Sequence, residues 1–312
     1  MIHAVDGASL LLTGGTGSFG SRFAARILAE CSPRSLMVYS RDELKQSELR
    51  RVLPDARLRF MIGDVRDRAR LRWAMRDIDI VVHAAALKQV ATAEANPSEV
   101  IATNIGGSLN VVSTAIDAGM KRVLLISSDK SCSPLNLYGT TKAIAEKLFV
   151  WANSDGTGLF SCIRYGNVAG SRGSVIPLWR SQTKVGLIAI TDPQATRFWL
   201  TLDQGVDFVL WALDHMQGGE VFVPRLPSVR VLALAEAVAP GCVWNVVGLG
   251  AGEKMHELLV SRDEARRAVP IETGWAIYPS VRNVMPDGWE YGSESNDWWL
   301  EGDALKAAVA GI

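Results

Sequence analysis

Two residues near the middle of the chain have the types and spacing of a proton-transfer pair. Tyr138 and Lys142 stand four residues apart in Tyr138-Gly139-Thr140-Thr141-Lys142, so a helix there places them on one face. A lysine cation close to a phenol lowers its pKa and makes the phenolate available as a general base. A strand-like run, 122–127, leads into Ser128-Asp129-Lys130 just ahead of this pair. Chance produces many such Tyr/Lys spacings, and its position behind that strand and a glycine-rich first turn makes this one specific.

That first turn is Gly14-Gly15-Thr16-Gly17-Ser18-Phe19-Gly20. Glycines at 14, 17 and 20 permit a tight turn, a close backbone approach to a pyrophosphate, and tight packing of the following helix. The helix N-terminus then offers free N–H groups and the positive end of its dipole to phosphate. At the end of the second strand-like run stand Ser40 and Arg41, with Lys45 one turn on. A hydroxyl and cations there suit a 2′-phosphate, whereas an acidic residue would hold an unphosphorylated ribose. The expected cofactor is therefore NADP, the alternative being that Arg41 is a solvated surface charge. Asp64, in Gly63-Asp64-Val65, falls where such folds hold the adenine amino group, and is equally suited to cap a helix.

The elements that must position these residues follow a strand–helix alternation. Residues 9–13, 35–40, 57–62, 78–83 and 122–127 read as near-continuously apolar strands, and 19–31, 68–74 and 105–118 have helical spacing. This predicts an α/β fold, a Rossmann-type doubly wound parallel sheet, with a smaller C-terminal lobe. The dinucleotide-binding domain is expected over 1–168. A mainly substrate-binding lobe is expected over 169–312, with segments near 203–223 returning to the first domain. The chain of 312 residues has 33 basic and 33 acidic side chains. That balance argues against a nucleic-acid or anionic-membrane surface. No apolar run is long enough to span a bilayer and no signal-peptide pattern opens the chain, so a cytoplasmic location is expected. The four cysteines have no metal-ligand spacing, and no metal is expected.

These segments together resemble an extended short-chain dehydrogenase/reductase. More narrowly, they resemble the soluble inverting UDP-N-acetylglucosamine 4,6-dehydratases (5-epimerising) of bacterial polysaccharide and pseudaminic acid biosynthesis. The likeness runs nearly end to end. Its most specific parts are Ser40-Arg41-Asp42-Glu43-Leu44-Lys45-Gln46-Ser47 and Asp129-Lys130. It also covers His83-Ala84-Ala85-Ala86-Leu87-Lys88, Arg164-Tyr165-Gly166-Asn167-Val168, Thr196-Arg197-Phe198-Trp199 and Gly252-Glu253-Lys254-Met255-His256-Glu257. Tyr138 separates this group from membrane-attached retaining relatives, which resemble a form with Met at that place.

The resemblance implies a nucleotide-sugar substrate, UDP-N-acetylglucosamine, and tightly bound NADP recycled within each turnover. Tyr138 is implied to take the O4 proton as C4 is oxidised, with Ser128 beside it and Lys142 supporting it. Lys130 is implied to remove the C5 proton, and Asp129 to protonate the departing O6. Both roles need Lys130 partly neutral and Asp129 partly protonated. Cofactor contacts are implied for Gly14, Thr16, Gly17, Ser18, Phe19, Gly20, Ser40, Arg41, Lys45, Asp64, Val65, Ala84, Ala85, Ala86, Lys88, Asn104, Tyr138 and Lys142. Substrate contacts are implied for Lys88, Asn167, Arg197 and Glu253, with Arg164 and Arg172 as alternative phosphate ligands. A homo-oligomer is implied as well.

The chain departs from the family pattern near the substrate. Gly250-Ala251-Gly252-Glu253-Lys254 stands where relatives read Arg-Pro-Gly-Glu-Lys, Val90-Ala91 where they read Val-Pro, and Ala95 where they carry an aromatic. Two other activities on the scaffold therefore stay open, a 5,6-dehydratase and a 4-epimerase. An epimerase has no use for Asp129-Lys130. A non-catalytic NADP-sensing regulator would usually lack the Tyr/Lys pair.

Overall fold

Six strands, all but the edge strand β3 largely buried, form most of the parallel part of one sheet: β1 (Ser9–Thr13), β2 (Ser35–Ser40), β3 (Leu58–Ile62), β4 (Ile80–His83), β5 (Arg122–Ile126) and β6 (Leu159–Ile163). The computed structural model describes residues 3–312. Strand order is β6-β5-β4-β1-β2-β3, so chain order reverses between β1 and β4. The crevice at such a reversal, outside the carboxyl ends of the strands, is where doubly wound sheets bind ligands. Leu10, Leu11 and Leu12 of β1 are all fully buried. Both faces of this strand are covered, which is why the sequence reads as an unbroken apolar run.

Helices cover both faces: α1 (Ser18–Glu30), α2 (Glu43–Val52), α3 (Arg68–Ala74), α4 (Val90–Ala95), α5 (Pro97–Val100), α6 (Gly107–Asp117) and α7 (Leu137–Ala152). A π-helical turn, Ile101–Gly106, joins α5 to α6 and takes the first two residues of the helix expected over 105–118. Asp67 caps α3 by accepting from Arg70 N. Asp64 does not cap that helix.

The later elements are α8 (Val175–Gln182), β7 (Leu187–Ile190), β8 (Thr196–Phe198), α9 (Leu202–His215), β9 (Val221–Pro224), β10 (Ser228–Arg230), α10 (Val231–Val238), β11 (Val243–Val246), β12 (Leu258–Val260), α11 (Arg262–Ala265), β13 (Ala268–Ile271), β14 (Gly274–Ile277), β15 (Tyr291–Gly292) and α12 (Gly302–Ala310). β9 joins the sheet parallel to β6. The antiparallel hairpin β13–β14 then extends it to nine strands. This hairpin, carrying Pro270 and Gly274, is a return to the sheet that the sequence reading did not name.

Trp179, Ile188, Ile190, Trp199, Val229, Leu234, Leu305 and Val309 form a hydrophobic cluster separate from the one under the large sheet. These two large clusters mark two packing units, and a small third one packs Tyr138 against Ala93 and Val100. Among the tryptophans near the C-terminus, Trp275 lies 5.5 Å from Trp289 and Arg230 lies 4.7 Å over Trp299, while Trp298 is exposed. No helix among the described residues is long and apolar enough to cross a membrane.

Candidate active site

β5 ends at Ile126 and the chain turns at Ser128 into a 3-10 turn, Asp129–Ser131. α7 starts against that turn. Its N-cap, Asn136, accepts from Gly139 N at 2.8 Å, and Glu94 of α4 accepts from Leu137 N at 2.7 Å. A Cβ on Gly139 would lie 2.1 Å from the carbonyl oxygen of Lys130, so only glycine lets the helix sit this close. Tyr138, in that first turn, is thereby brought beside Ser128 and Lys130.

Asp129 is 1% exposed; its Oδ1 accepts from Ser128 Oγ at 2.8 Å and Lys130 Nζ at 3.3 Å. Its Oδ2 is buried without a partner. Lys130 Nζ also reaches Asn167 Oδ1 at 3.4 Å and Glu257 Oε1 at 3.3 Å. Burial pulls the Lys130 ammonium down, but the Asp129 and Glu257 carboxylates outweigh it and hold the group well above its ordinary value. In the free protein Lys130 is thus an ammonium, where the sequence reading needed it partly neutral.

Burial also pushes the Tyr138 phenol up, while the Ser128 hydroxyl and the Lys130 cation pull it back in part. The helical spacing pointed to Lys142 as the activating cation. Lys142 Nζ instead donates to the Ile126 carbonyl oxygen at 2.5 Å. Burial lowers this lysine to about 8, against the opposing pull of Glu146. The cation that acts on the phenol in this geometry is Lys130.

Arg197 Nη1 donates to the carbonyl oxygens of Thr196 and Met255, and Nε lies 3.7 Å from Glu257. Asn167 and Arg197 thus meet the Lys130 cluster. Glu253 does not touch it: its carboxylate accepts from Gly250 N at 3.0 Å and closes an exposed turn. Asn136 Nδ2, donating to Gly252 O at 2.8 Å, docks that turn on the start of α7.

Sequence reasoning passed over Glu257, which is 4% exposed and faces Lys130. Its signal was weak: a lone acid directly ahead of the apolar strand β12. Arg164, a sequence alternative for a phosphate ligand, is unavailable for that role. It is 2% exposed, and its guanidinium is engaged by Glu146, Glu264 and the Leu259 carbonyl. Glu146 also accepts from Ser127 and Ser131 at 2.6 Å each, so this ion network anchors both ends of the 3-10 turn.

The glycine-rich turn has the form of a phosphate cradle. A Cβ on Gly14 would lie 2.8 Å from the backbone of Ala84 and Ala85, and the residue has φ of 69°. The loop Ala84–Ala86 after β4 therefore faces this turn directly, and Ala85 N donates to Thr13 Oγ1 at 3.3 Å. α1 begins at Ser18, next to Phe19, with neither a side-chain cap nor an acid in its first turn. Its free N–H groups fit an anion.

Arg172 lies over this turn, donating from Nη2 to Thr16 O at 2.8 Å and from its backbone N to Ser18 Oγ at 3.1 Å. Lys88 Nζ donates to the Arg172 carbonyl at 3.3 Å, and burial together with the Arg172 charge lowers this lysine. At the end of β2, Ser40 Oγ accepts from Gln46 at 3.0 Å. Arg41 is half exposed and 3.6 Å from Asp64, while Lys45 pairs with Asp42 at 2.6 Å. Asp64 is held mainly by Arg66, at 2.7 Å. Val65 is buried against Gly107 of α6. Asn104, in the π-helical turn, clamps the Leu87 backbone by two hydrogen bonds and donates to Thr141.

The model of the polysaccharide biosynthesis protein family matches residues 10–278. The chain belongs to this family. A UDP-N-acetylglucosamine 4,6-dehydratase (inverting) of Campylobacter jejuni is 43% identical, over 94% of this chain and 95% of the relative. A UDP-glucose 4-epimerase of Rickettsia akari is 41% identical, over 83% of this chain and 80% of its own. Among solved structures of this fold, Pen from Bacillus thuringiensis superposes with a TM-score of 0.91 at 33% identity, covering 99% of both chains. The family's extended short-chain dehydrogenase fold is therefore the fold of this chain.

Proposed function

We propose that the protein is a nucleotide-sugar 4,6-dehydratase that converts UDP-N-acetylglucosamine into the 4-keto-6-deoxy sugar with inversion at C5. One observation carries the reading: a buried Asp129 and a mostly covered Lys130 are hydrogen-bonded to each other beside Tyr138. Oxidation at C4 alone needs one base, whereas dehydration needs a further acid and base on the C5–C6 side. This site holds all three groups. The 43% identical dehydratase relative supports the same substrate.

When bound, a nicotinamide dinucleotide supplies the reversible two-electron exchange, from C4 at the start and to C6 at the end. The Gly14 cradle and the uncapped start of α1 fit its pyrophosphate. Ser40, Arg41 and Lys45, with no carboxylate free at the end of β2, favour the 2′-phosphate of NADP. Within the chain, Tyr138 accepts the O4 proton, Lys130 as free amine takes the C5 proton, and Asp129 as neutral carboxyl gives its proton to O6. Arg197 and Asn167 are placed to hold the diphosphate, and their closeness to Lys130 fixes the sugar beside it.

The 41% identical epimerase relative favours a second reading, C4 epimerisation. It leaves the hydrogen-bonded Asp129 and Lys130 without a task. The homo-oligomer is part of the first reading, supported by the apolar side chains of Leu109, Ile144 and Trp151 exposed on α6 and α7.

Single-turnover kinetics of two variants test the assignment. Tyr138→Phe is expected to abolish reduction of the cofactor at 340 nm. Asp129→Asn is expected to keep that reduction and to slow loss of water by about 10²–10⁴-fold, the range for a missing general acid. Unchanged water loss in Asp129→Asn would remove the acid assignment.

A further inference from the structure

Lys130 poses a problem that the Asp129–Lys130 pair does not solve by itself. To serve as base and acid together, the pair must pass one proton from Nζ to the Asp129 carboxylate. An N–H bond breaks, an O–H bond forms, and a free amine and a neutral carboxyl result. An anionic Glu257 at 3.3 Å opposes that transfer, because it stabilises the ammonium.

The two carboxylates flanking Lys130 are not equivalent. Asp129 accepts from both Ser128 and Lys130. Glu257 accepts only from Lys130 among side chains within hydrogen-bond range, with Arg197 further off at 3.7 Å. Its Oε2 is buried and without a partner. A buried carboxylate so poorly supplied with donors is the one that keeps a proton.

We propose that Glu257 is a protonation gate on Lys130: protonated, it lets the Lys130-to-Asp129 proton transfer proceed, and ionised, it locks Lys130 as an ammonium. Glu257 acts through Lys130 and is a positioning residue rather than a catalytic one. The proposal rests on the reading of Lys130 and Asp129 as base and acid of a dehydration.

The groups around Glu257 pull in both directions, and burial decides the direction. Asp129 and Lys130 face Glu257 from the 3-10 turn, Arg197 from β8, and Lys254 from its own segment. His256, whose Nδ1 pairs with Thr196, and the acids Glu290 and Glu294 line the same cavity of about 310 Å³. Tyr138 lies on the Lys130 side, from α7. Burial first and Asp129 second push the Glu257 carboxyl above its ordinary range, against the pull of Lys130, Arg197 and Lys254.

The test is the pH profile of single-turnover water loss from UDP-N-acetylglucosamine in wild type and Glu257→Gln, with cofactor reduction followed in parallel. Glutamine imitates the protonated gate. The wild-type rate is expected to fall about tenfold per pH unit once Glu257 ionises. Glu257→Gln should keep water loss and lack that alkaline fall, with cofactor reduction unchanged. Loss of dehydration in Glu257→Gln at every pH, or an alkaline limb like that of wild type, would overturn the gate.

A second measurement needs no turnover. In protein labelled with 13C at the glutamate carboxyls, the signal absent from Glu257→Gln should titrate above the ordinary glutamate range. Titration at or below that range would overturn the gate while leaving the dehydratase reading intact. A wild type that makes no dehydrated product from the sugar would instead remove the functional reading, and the gate with it.

Discussion

Arg41 lies at the mouth of β2, half exposed and only loosely paired with Asp64 at 3.6 Å. A guanidinium so weakly engaged is free to bind a phosphate bidentately, and such charge-assisted hydrogen bonds contribute about 1.5–3 kcal/mol. Arg41→Ala is therefore expected to weaken NADP binding by about 10–100-fold and to leave NAD binding nearly unchanged, as measured by calorimetry. Unchanged binding of both would return Arg41 to the role of a surface charge, and equal weakening of both would place it on a part of the cofactor that NAD and NADP share. Around Tyr138 the sequence shows only part of which side chains meet, for a definite reason. Ser128, Asp129 and Lys130 are contiguous, so their closeness was legible as a unit. Helical spacing placed Lys142 on the face of Tyr138, but spacing does not say which acceptor an ammonium will choose, and Lys142 chose the Ile126 carbonyl.

The elements around the catalytic turn are held by a buried ion network that no spacing rule reveals. Arg164 leaves the end of β6, Glu146 comes from α7 and Glu264 from α11. They converge only because the sheet and the later lobe fold together. Burial works to raise Glu264, but Arg164 and the Ser261 backbone prevail and hold it down to about 2. A carboxylate lowered on folding leaves the unfolded chain binding more protons between pH 2 and the reference 4.5. Its stabilisation is complete above 4.5 and is lost as pH falls through that window. Glu264→Gln should thus cost about 3 kcal/mol in urea unfolding at pH 7, with the gap from wild type closing as pH drops below 4.5. A gap independent of pH would mean that the carboxylate charge is not what binds α11 to the turn. The strand–helix alternation of the first half was readable because the central strands β1 and β4 are apolar almost throughout and buried on both faces. The hairpin β13–β14 was not, since its pattern is broken by Pro270 and Gly274.

At the scale of the whole molecule, the two largest hydrophobic clusters lie under the large sheet and around Trp179. Trp179 is 1% exposed and donates from Nε1 to the Ala189 carbonyl at 2.7 Å. Truncating such a side chain typically costs about 3–5 kcal/mol. Trp179→Ala is expected to speed hydrogen exchange in α8, β7, α10 and α12 and to leave β1, β4 and β5 protected. Uniform loss of protection would show that the two cores unfold as one. Between them lies the site, where Arg197 of β8 and Glu257 ahead of β12 meet the turn carried by β5. Catalysis on this account needs both units in register. The most direct test of that account is incubation of the protein with UDP-N-acetylglucosamine in D2O, followed by NMR. The predicted product is a 4-keto-6-deoxy sugar of inverted C5 configuration carrying deuterium at C5. A C4 epimer with no deuterium at C5, or a product without a C6 methyl group, would contradict it.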